Sequence, residues 1–450
     1  MTPHRIVVLG AGFAGLTAAK RAAGYLRGTP ARVTLVNAAE HLVERTRLHQ
    51  VAAGQRLPEI RIADLLRGSG VEAVFGRVTA IDADARTVHL DEHRDPASPS
   101  GGSPVRERLY YDTLVYALGS SWDTHDVPGV AEHAFAVADA EQAARLRDHL
   151  RARLGARPAE GGGRTGAGTV PVRSAAAPAL VGGAAAAGGA PEAAAHTADA
   201  APEHPAAPHT RHTRHRIVVA GGGLTGLETA AELAEAYPNA RVELVSADAI
   251  ADWLAPRALR HLRGSLRRLG VAVREHTAIT AVQNGRALVG DGESDAIAFD
   301  TLVWTAGFRV HALAAEAGLA VDDTGRILVD ASLRSVSHPE VIAAGDAAAA
   351  MTRGGVARMT CQTGLPMGVH AGRVAADTAR GRAPRPVRLR YVAVNISLGR
   401  RDAVTQFLRA DDTPVRAALV GRSAAALKEG ITRGVVTALR HPGPFLPRRA

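Results

Sequence analysis

The sequence predicts an α/β fold in which one strand–turn–helix unit occurs twice and a smaller C-terminal region follows. Residues 6–15 read IVVLGAGFAG, and residues 217–226 read IVVAGGGLTG. In each, an apolar run leads into a G-x-G-x-x-G turn and then into a helical pattern, as in a dinucleotide-binding unit. Each unit ends in a second shared motif, YDTLVYALG at 111–119 and FDTLVWTAG at 299–307. Because both motifs recur in the same order, we infer a duplication that gives two Rossmann-like dinucleotide-binding domains.

The glycines of the two turns are the first candidate binding residues. In such a turn the first glycine makes the tight bend, the second lets the backbone approach a pyrophosphate, and the third lets the helix pack on the strand. The phosphates bind at the free N–H groups and positive dipole end of the helix. The glycines are Gly10, Gly12 and Gly15 in the first turn and Gly221, Gly223 and Gly226 in the second. Ala14, in the first turn, is a further candidate contact.

The residue after the second strand of such a unit contacts a ribose, usually through an acid. Here Asn37 follows the strand at 33–36, and Ser246 follows the strand at 242–245. An amide binds a ribose hydroxyl more weakly than a carboxylate does. Asp248 lies near Ser246, and no arginine follows within several residues to bind a 2′-phosphate, which favours NADH over NADPH.

The composition, with 46% hydrophobic and 22% charged residues, is that of a soluble globular protein. We find neither a signal peptide nor an apolar run of about 20 residues, and therefore expect a cytoplasmic protein. Peripheral contact with the inner face of the cell membrane is the alternative. The single cysteine, Cys361, excludes an intrachain disulfide.

The net charge of +10 is concentrated at the C-terminal end, since residues 382–450 contain 14 Lys and Arg against four Asp and Glu. Such a segment can meet an anionic membrane, nucleic acid or an acidic partner, or can reflect an arginine bias on a solvated surface. Lys20 and Lys428 are the only lysines. A helix is predicted at 424–440, and one of its faces carries Leu427, Ile431, Val435 and Leu439. We expect no nucleic-acid partner and leave open peripheral membrane contact through 424–450, packing of this helix on its own domain, and a homodimer.

These patterns predict the domain boundaries. The first domain comprises residues 1–155 and 311–385, the second comprises 214–310, and a basic C-terminal domain comprises 386–450. Residues 156–213 are rich in Ala, Gly, Pro and His, so we predict a disordered insertion whose deletion leaves turnover intact. Three histidines at its end are spaced three apart and favour a solvated tract over a metal site: His209, His212 and His215. We expect no metal ligands.

The order of first glycine turn, ALG strand, second glycine turn, TAG strand and AAGD at 343–346 resembles the flavoproteins with two dinucleotide-binding domains, the pyridine nucleotide-disulfide oxidoreductase fold. Within them it is most similar to the type II NADH:quinone oxidoreductases. The resemblance implies FAD on the first turn and NAD(P)H on the second. It adds flavin contacts at Asn37, Gly119, Gly345 and Asp346, and nicotinamide dinucleotide contacts at Ser246 and Gly307. Arg45 is a further candidate flavin contact if the segment at 41–54 crosses the cofactor; the alternative is a helix with a solvated face.

Two catalytic candidates follow from the same resemblance. Glu228 stands where those enzymes have an acid near the meeting point of nicotinamide and flavin, to position the nicotinamide or relay a proton. The alternative for Glu228 is an acid favoured by the helix dipole, and for Asp346 a helix N-cap. Cys361-Gln362 is similar to the Ala-Gln of the quinone site, which makes Gln362 the second candidate. The segment at 48–54 is similar to the one that runs beneath the flavin.

The chain also departs from the pattern. The segment at 40–50 has no cysteine pair, which excludes electron exit through a dithiol and sulfide oxidation through paired cysteines. Pro366-Met367 stands where the quinone enzymes have a Gln-Gln pair. The resemblance implies an FAD-dependent NAD(P)H dehydrogenase that passes electrons to a quinone-like acceptor. The alternatives are a reductase of a ferredoxin-like protein and an NAD(H)-sensing flavoprotein.

Overall fold

The computed structural model describes residues 2–91, 108–123, 127–155, 214–290 and 295–440. The predicted disordered insertion at 156–213 and the last ten residues lie outside this range. No helix in the described ranges is long and apolar enough to cross a membrane. The α-helices are Phe13–Tyr25, Leu48–Ala52, Ile62–Leu66, Val130–His133, Ala140–Leu154, Leu224–Ala236, Pro256–Arg268, Leu313–Glu316, Cys361–Ala379 and Arg422–Arg440, with single 3-10 turns at Arg45–Arg47 and Gly345–Ala347.

The first glycine turn belongs to a five-stranded parallel sheet. Its strands, in spatial order, are Val341–Ala343, Thr113–Tyr116, Arg5–Leu9, Arg32–Asn37 and Val71–Phe75. Residues 6–9 are buried, as expected for a parallel sheet covered on both faces. Helix Phe13–Tyr25 packs closely on Cys361–Ala379, because a Cβ at Gly368 would lie only 2.2 Å from the Ala14 carbonyl oxygen. This contact brings the beginning of helix Cys361–Ala379 to the first glycine turn.

The second glycine turn belongs to an equivalent parallel sheet. Its strands are Ala134–Ala136, Thr301–Trp304, Arg216–Ala220, Arg241–Val245 and Ala272–Arg274. The two sheets also share a hydrogen bond at the start of the strand that leads into each glycine turn. The Arg5 N–H donates to Asp112 at 2.7 Å, and the Arg216 N–H donates to Asp300 at 2.7 Å. The duplication inferred from the sequence is therefore confirmed.

The segment before the insertion packs with the second sheet. Strand Ala134–Ala136 pairs with Thr301–Trp304, and the helix Ala140–Leu154 that follows shares a hydrophobic core with Ile217 and Val219. The boundary predicted at residue 155 assigns residues 134–155 to the first domain. The structure corrects this, because the strand that completes the second sheet precedes its glycine turn in the chain.

The remaining strands form small sheets. Antiparallel three-stranded sheets comprise Val78–Asp82, Thr87–Leu90 and Arg108–Tyr110; Ile279–Gln283, Arg286–Val289 and Ala296–Ala298; and Ala393–Ser397, Ala403–Leu408 and Pro414–Val420. Two-stranded pairs are Ser120–Trp122 with Phe308–Val310, Ile327–Leu328 with Ala348–Ala349, and Met351–Thr352 with Gly355–Val356. Strand Pro414–Val420 was missed in the sequence, because it has no buried residue to give it an apolar signal.

The last helix, Arg422–Arg440, packs on the rest of the protein at its end and exposes apolar side chains near its middle. Leu439 is buried in the core of the first sheet, whereas Ile431 is 43% exposed. The buried ammonium of Lys20 donates to the carbonyl oxygens of Leu439 and Arg440 and to that of Leu65. A compact ammonium with three donors suits three convergent carbonyls at the negative end of a helix.

We expect Lys20→Met to destabilise the protein by about 3 kcal/mol, because three buried carbonyl oxygens lose a charged donor. Urea unfolding measures this loss, and limited proteolysis should cut the last helix first. Arg27→Met is the control, since this exposed arginine near the end of the same first helix has no such partners. Equal stability of both variants would contradict the assignment of Lys20 as the anchor of the last helix.

Candidate active site

A cavity of about 330 Å³ lies at the first glycine turn. It collects most of the residues that the sequence assigns to FAD, together with one catalytic candidate. They are Gly10, Gly12, Ala14, Asn37, Arg45, Gly119, Gly345, Asp346 and Glu228. The helix dipole of Phe13–Tyr25 and the free N–H groups at its start therefore lie beside a cavity, which is the arrangement that binds a pyrophosphate.

The three glycines of the first turn have different surroundings. Gly10 has a φ of +92°, and a Cβ there would lie 2.4 Å from the Ala117 carbonyl oxygen. A Cβ at Gly15 would lie 1.9 Å from the Gly10 carbonyl oxygen, so Gly15 serves helix packing and does not line the cavity. A Cβ at Gly12 would meet nothing within 4 Å. Gly12 thus leaves open space on the cavity side, which fits a cofactor that needs backbone approach.

The Asn37 side chain holds the turn in place. Its Oδ1 accepts from the Ala11 N–H at 2.8 Å, and its Nδ2 donates to the Ala39 carbonyl oxygen at 2.6 Å. A carboxylate could make only the first of these bonds, because it has no donor when ionised. The amide found at this position therefore has a local structural reason.

Arg45, Ser120 and Asp346 form a polar cluster at the wall of this cavity. The Ser120 hydroxyl donates to Asp346 at 2.7 Å, and the Arg45 guanidinium donates to the Ser120 carbonyl oxygen at 2.7 Å. Arg45 Nη1 lies 3.8 Å from Asp346 Oδ2. Arg47, in contrast, turns away and pairs with Glu429. Of the two arginines in this segment, only Arg45 lines the cavity.

A second cavity, of about 620 Å³, lies at the second glycine turn. Four of the residues assigned to the nicotinamide dinucleotide line it: Gly221, Gly223, Ser246 and Gly307. Gly226 packs against the turn, because a Cβ there would lie 1.8 Å from the Gly221 carbonyl oxygen. Within the described part of the chain, the lining includes Asp123, Asp248 and Asp252 and no lysine or arginine, and Asp123 pairs with Arg309 at 3.1 Å.

The catalytic candidate Glu228 is held in a buried network at the first cavity. Its Oε1 accepts from the Lys428 ammonium and from the Ser397 N–H, and its Oε2 lies 3.8 Å from His49 Nδ1. Burial pushes the pKa of Glu228 up, but Lys428, His49 and these hydrogen bonds outweigh it and bring the pKa below its ordinary value. Glu228 is therefore ionised near neutral pH.

Lys428 was missed as a functional residue. It lies on the last helix, 200 residues from Glu228, and it lines both the first cavity and a polar cavity of about 260 Å³. A signal was present in the sequence, because only two lysines occur in a chain that otherwise uses arginine. Both are placed where a compact ammonium meets buried oxygens.

A third cavity, of about 1060 Å³, contains Gln362. Gln362 does not line the first cavity, but its neighbours Thr360 and Cys361 line both. The third cavity is largely apolar, with side chains from helices Cys361–Ala379 and Arg422–Arg440 and from strand Ala393–Ser397. Burial raises the pKa of Cys361, so its thiol is neutral near pH 7.

Several buried polar atoms of the three cavities have no hydrogen-bond partner among the described residues. They are Thr46 Oγ1 and His49 Nε2 in the first cavity, Trp304 Nε1 in the second and His370 Nε2 in the third. Buried polar atoms are normally bonded, so such atoms around a cavity indicate a polar ligand. Together with the open space at Gly12, the atoms in the first and second cavities show that the residues present fit a bound dinucleotide.

The buried His49 makes stability depend on pH. Burial lowers the pKa of His49 from 6.5 to about 4. The unfolded chain therefore binds a proton between these values that the folded chain excludes, and stability falls as the pH drops from about 6.5 to about 4.

In the wild type, the free energy of unfolding should fall by about 3 kcal/mol over this pH range. We expect the variant His49→Gln not to show this fall. Urea unfolding at a series of pH values measures the slope. His41→Gln serves as a control, because His41 is exposed. An unchanged slope in His49→Gln, or the same change in both variants, would contradict a neutral buried His49.

The two parallel sheets, each with a glycine turn that opens on its own cavity, define a protein that holds two dinucleotides. Phe308 lines both cavities, so the two cavities adjoin at this residue.

The chain belongs to the pyridine nucleotide-disulphide oxidoreductase family, whose model matches residues 4–373. This confirms the resemblance, the fold class and the predicted cofactors, FAD and NAD(P)H. The chain is 31% identical over 385 residues to an NADH dehydrogenase-like protein of Mycobacterium tuberculosis, covering 82% of this chain and 79% of that protein. It is 24% identical to a type II NADH:quinone oxidoreductase of Staphylococcus epidermidis, covering 96% and 95%. The chain is thus an NAD(P)H-dependent flavoprotein oxidoreductase.

The fold also resembles a solved sulfide:quinone oxidoreductase of Aquifex aeolicus, with a TM-score of 0.70, 14% identity and coverage of 97% of this chain and 91% of that one. At this identity the likeness concerns the fold alone.

Proposed function

We propose that this protein oxidises NADH and passes the electrons through FAD to a quinone-like acceptor in the third cavity. The observation that carries the proposal is the sharing of lining residues between cavities. Phe308 joins the second cavity to the first, and Thr360 and Cys361 join the first to the third. A donor and an acceptor can therefore approach the first cavity from different neighbouring cavities.

The preference for NADH over NADPH rests on the charge of the second cavity. Among the described residues, Asp248 and Asp252 line it together with Asp123, which pairs with Arg309, and no lysine or arginine belongs to the lining. A 2′-phosphate would meet Asp248 and Asp252 without a cation in that lining to pair with, whereas a ribose diol can donate to a carboxylate.

The first cavity is assigned to FAD, which when bound supplies the two-electron carrier between donor and acceptor. The turn residues and Asn37 would lie along its phosphates and ribose, and Arg45, Gly119, Gly345 and Asp346 would lie farther along the same cavity. Ionised Glu228 is held by Lys428 at the cavity wall and can orient a nicotinamide through its carboxamide N–H groups. We assign Glu228 this positioning role, with Gln362 placed beside the acceptor.

Quinone reduction by NADH consumes one proton, since the overall reaction is NADH + H⁺ + quinone → NAD⁺ + hydroquinone. Lys428 separates the first cavity from the polar cavity and lines both. Gln55 lines the polar cavity and donates to Glu232, one helical turn after Glu228. Burial raises the pKa of Glu232 to about 7, which suits a group that exchanges a proton near neutral pH. We propose that the proton enters from the polar cavity.

Peripheral membrane contact remains part of the proposal. The apolar face predicted on the last helix is divided: Leu439 is buried, Ile431 and Val435 line the third cavity, and Leu427 is exposed at 36%. An exposed apolar edge beside the mouth of an apolar cavity suits an acceptor that arrives from a membrane surface. We leave a homodimer as an alternative without a supporting contact.

The proposal is tested by filling the third cavity. Ile431→Trp should slow reoxidation of the reduced protein by a small quinone at least about tenfold, while reduction by NADH changes less than about twofold. Leu419→Trp is the control, because Leu419 is 37% exposed in the same domain and does not line the cavity. Anaerobic stopped-flow measures both half-reactions.

Other outcomes of this experiment favour other functions. Fast reoxidation by a ferredoxin and slow reoxidation by every quinone would support the alternative of a protein acceptor docked on the basic C-terminal region. Slow reoxidation by quinones, ferredoxin and oxygen alike, with tight binding of NAD⁺, would support a sensor. Either result would overturn the quinone proposal.

A further inference from the structure

The third cavity combines an apolar interior with an unusual number of arginines. Six arginines of the described ranges line it: Arg358, Arg373, Arg380, Arg382, Arg388 and Arg390. Asp377 is the only acidic residue that these ranges contribute to the lining. A quinone without charge needs no such excess of cations, because apolar contact and one or two hydrogen bonds are enough to hold it.

Three of these arginines are used within the protein. Arg358 pairs with Asp412 and lies 4.8 Å from the centre of the Tyr391 ring. Arg373 lies 3.6 Å from Asp377, and Arg380 donates to the Tyr25 carbonyl oxygen. These contacts fix their guanidinium groups at the cavity wall.

The other three are available to a ligand. The guanidinium groups of Arg382, Arg388 and Arg390 make no hydrogen bond or ion pair within the described part of the chain. All three lie on the extended segment that joins helix Cys361–Ala379 to strand Ala393–Ser397. They are exposed, and they line the same cavity as the apolar Val387 and Val392 of that segment. Charge and apolar surface therefore alternate along one wall.

The interior differs from the quinone site of the resembling enzymes at one amide pair. Pro366 lines the cavity, and Met367 is buried in the first core, where the resembling enzymes have a Gln-Gln pair. Uncharged polar side chains still line the cavity, among them Gln362, Asn395 and His370, whose Nε2 has no partner among the described residues. These groups can bond the carbonyls of a quinone ring, and the arginines at the wall add a site for a negative charge.

We propose that the acceptor is a quinone that carries an anionic substituent, with its ring among the apolar side chains and its anion on Arg382, Arg388 and Arg390. This inference rests on the proposed function. The anion takes no part in the redox step, in which NADH and one proton convert the quinone to its hydroquinone. A concave site suits a small molecule better than a lipid surface, because the arginines and the apolar residues line one cavity.

The first experiment measures binding without turnover. Equilibrium dialysis of the oxidised, flavin-containing protein compares 1,4-naphthoquinone-2-sulfonate, an anion, with menadione, a neutral naphthoquinone. We expect tighter binding of the sulfonate, and a decline in that preference as salt is raised. Equal binding of the two quinones at low salt would overturn the proposal.

The second experiment assigns the preference to residues. The triple variant R382Q/R388Q/R390Q should weaken sulfonate binding by about tenfold or more and leave menadione binding unchanged, as expected for three exposed charge contacts. The control R401Q/R416Q/R422Q removes the same charge from exposed positions at 401–422 that do not line the cavity. This control variant should bind both quinones as the wild type does. Equal losses for both quinones, or equal losses in both triple variants, would contradict the assignment.

Two further measurements distinguish an anionic quinone from a lipid surface and from a failure of the quinone function itself. If the first triple variant lost binding to phosphatidylglycerol vesicles but kept its affinity for the sulfonate, the arginines would serve a lipid surface and the inference would be wrong. Stopped-flow reoxidation tests the proposed function separately. If neither quinone reoxidised the reduced wild-type protein, the quinone function would fail, while dialysis would still decide whether the cavity prefers an anion.

Discussion

Gly12→Val should give a folded protein that does not retain FAD. Gly12 has ordinary extended backbone angles, φ −70° and ψ −174°, and a Cβ there meets no atom within 4 Å. The substitution therefore costs the empty protein little. The added side chain occupies the space through which a pyrophosphate must approach, so we expect flavin affinity to fall at least about a hundredfold. The flavin-to-protein absorbance ratio of the purified variant measures this.

Gly223→Val is the matched control in the second turn. Its backbone angles are φ −71° and ψ 179°, and a Cβ there also meets nothing within 4 Å. This variant should be yellow but should not be reduced by NADH at concentrations that saturate the wild type. Gly15→Val should differ from both, because a Cβ there would lie 1.9 Å from a backbone oxygen and disturb folding. Normal FAD content in Gly12→Val would refute the assignment of the first cavity.

Lys428→Met should produce the second large effect, through Glu228. Removing one partner of a buried ion pair costs about 3 kcal/mol or more, because the other charge stays buried. Burial then raises the pKa of Glu228 with less to oppose it. Glu228 should then become protonated at a higher pH than in the wild type. Reduction by NADH should slow as the pH is lowered, and the midpoint of this decline should lie at a higher pH than in the wild type. Stopped-flow reduction over a series of pH values measures the midpoint.

Two variants decide whether this effect runs through Glu228. Glu228→Gln should slow reduction by about a hundredfold at every pH and show no such midpoint. Combined with Lys428→Met, it should cost less stability than the sum of the single variants, because no buried charge remains unpaired. Arg422→Met removes a positive charge from the same helix and should leave the pH profile unchanged. A wild-type profile in Lys428→Met would contradict the role given to the pair.

The fold could be predicted because its signals are local and repeated. The two glycine turns and the two closing strands each lie within ten residues, and their geometry follows from backbone sterics that any such sequence shares. The boundary at residue 155 was wrong for the opposite reason. Strand Ala134–Ala136 has only three residues, and no local pattern shows that its partner, Thr301–Trp304, lies beyond the insertion.

The lining of the first cavity could be predicted where its residues stand at strand ends or in a shared motif, and could not where distant side chains meet. The glycines and Asn37 follow directly from the ends of strands, and Asp346 follows from the AAGD motif of the resemblance. Lys428 reaches Glu228 from the last helix, which Lys20 contacts at its end, and neither contact has a pattern in the sequence. Three arginines of the third cavity, Arg382, Arg388 and Arg390, were read only as part of a basic segment, since their place around an apolar cavity depends on the packing of three elements.

The most direct test of the account is anaerobic mixing of the flavin-containing protein with NADH deuterated at nicotinamide C4. If the second cavity delivers the nicotinamide to the first, one NADH per flavin should bleach the flavin band, and deuterium at the transferred position should slow the bleaching. A protein that keeps its flavin colour under excess NADH, or retains no flavin after reconstitution, would contradict the account.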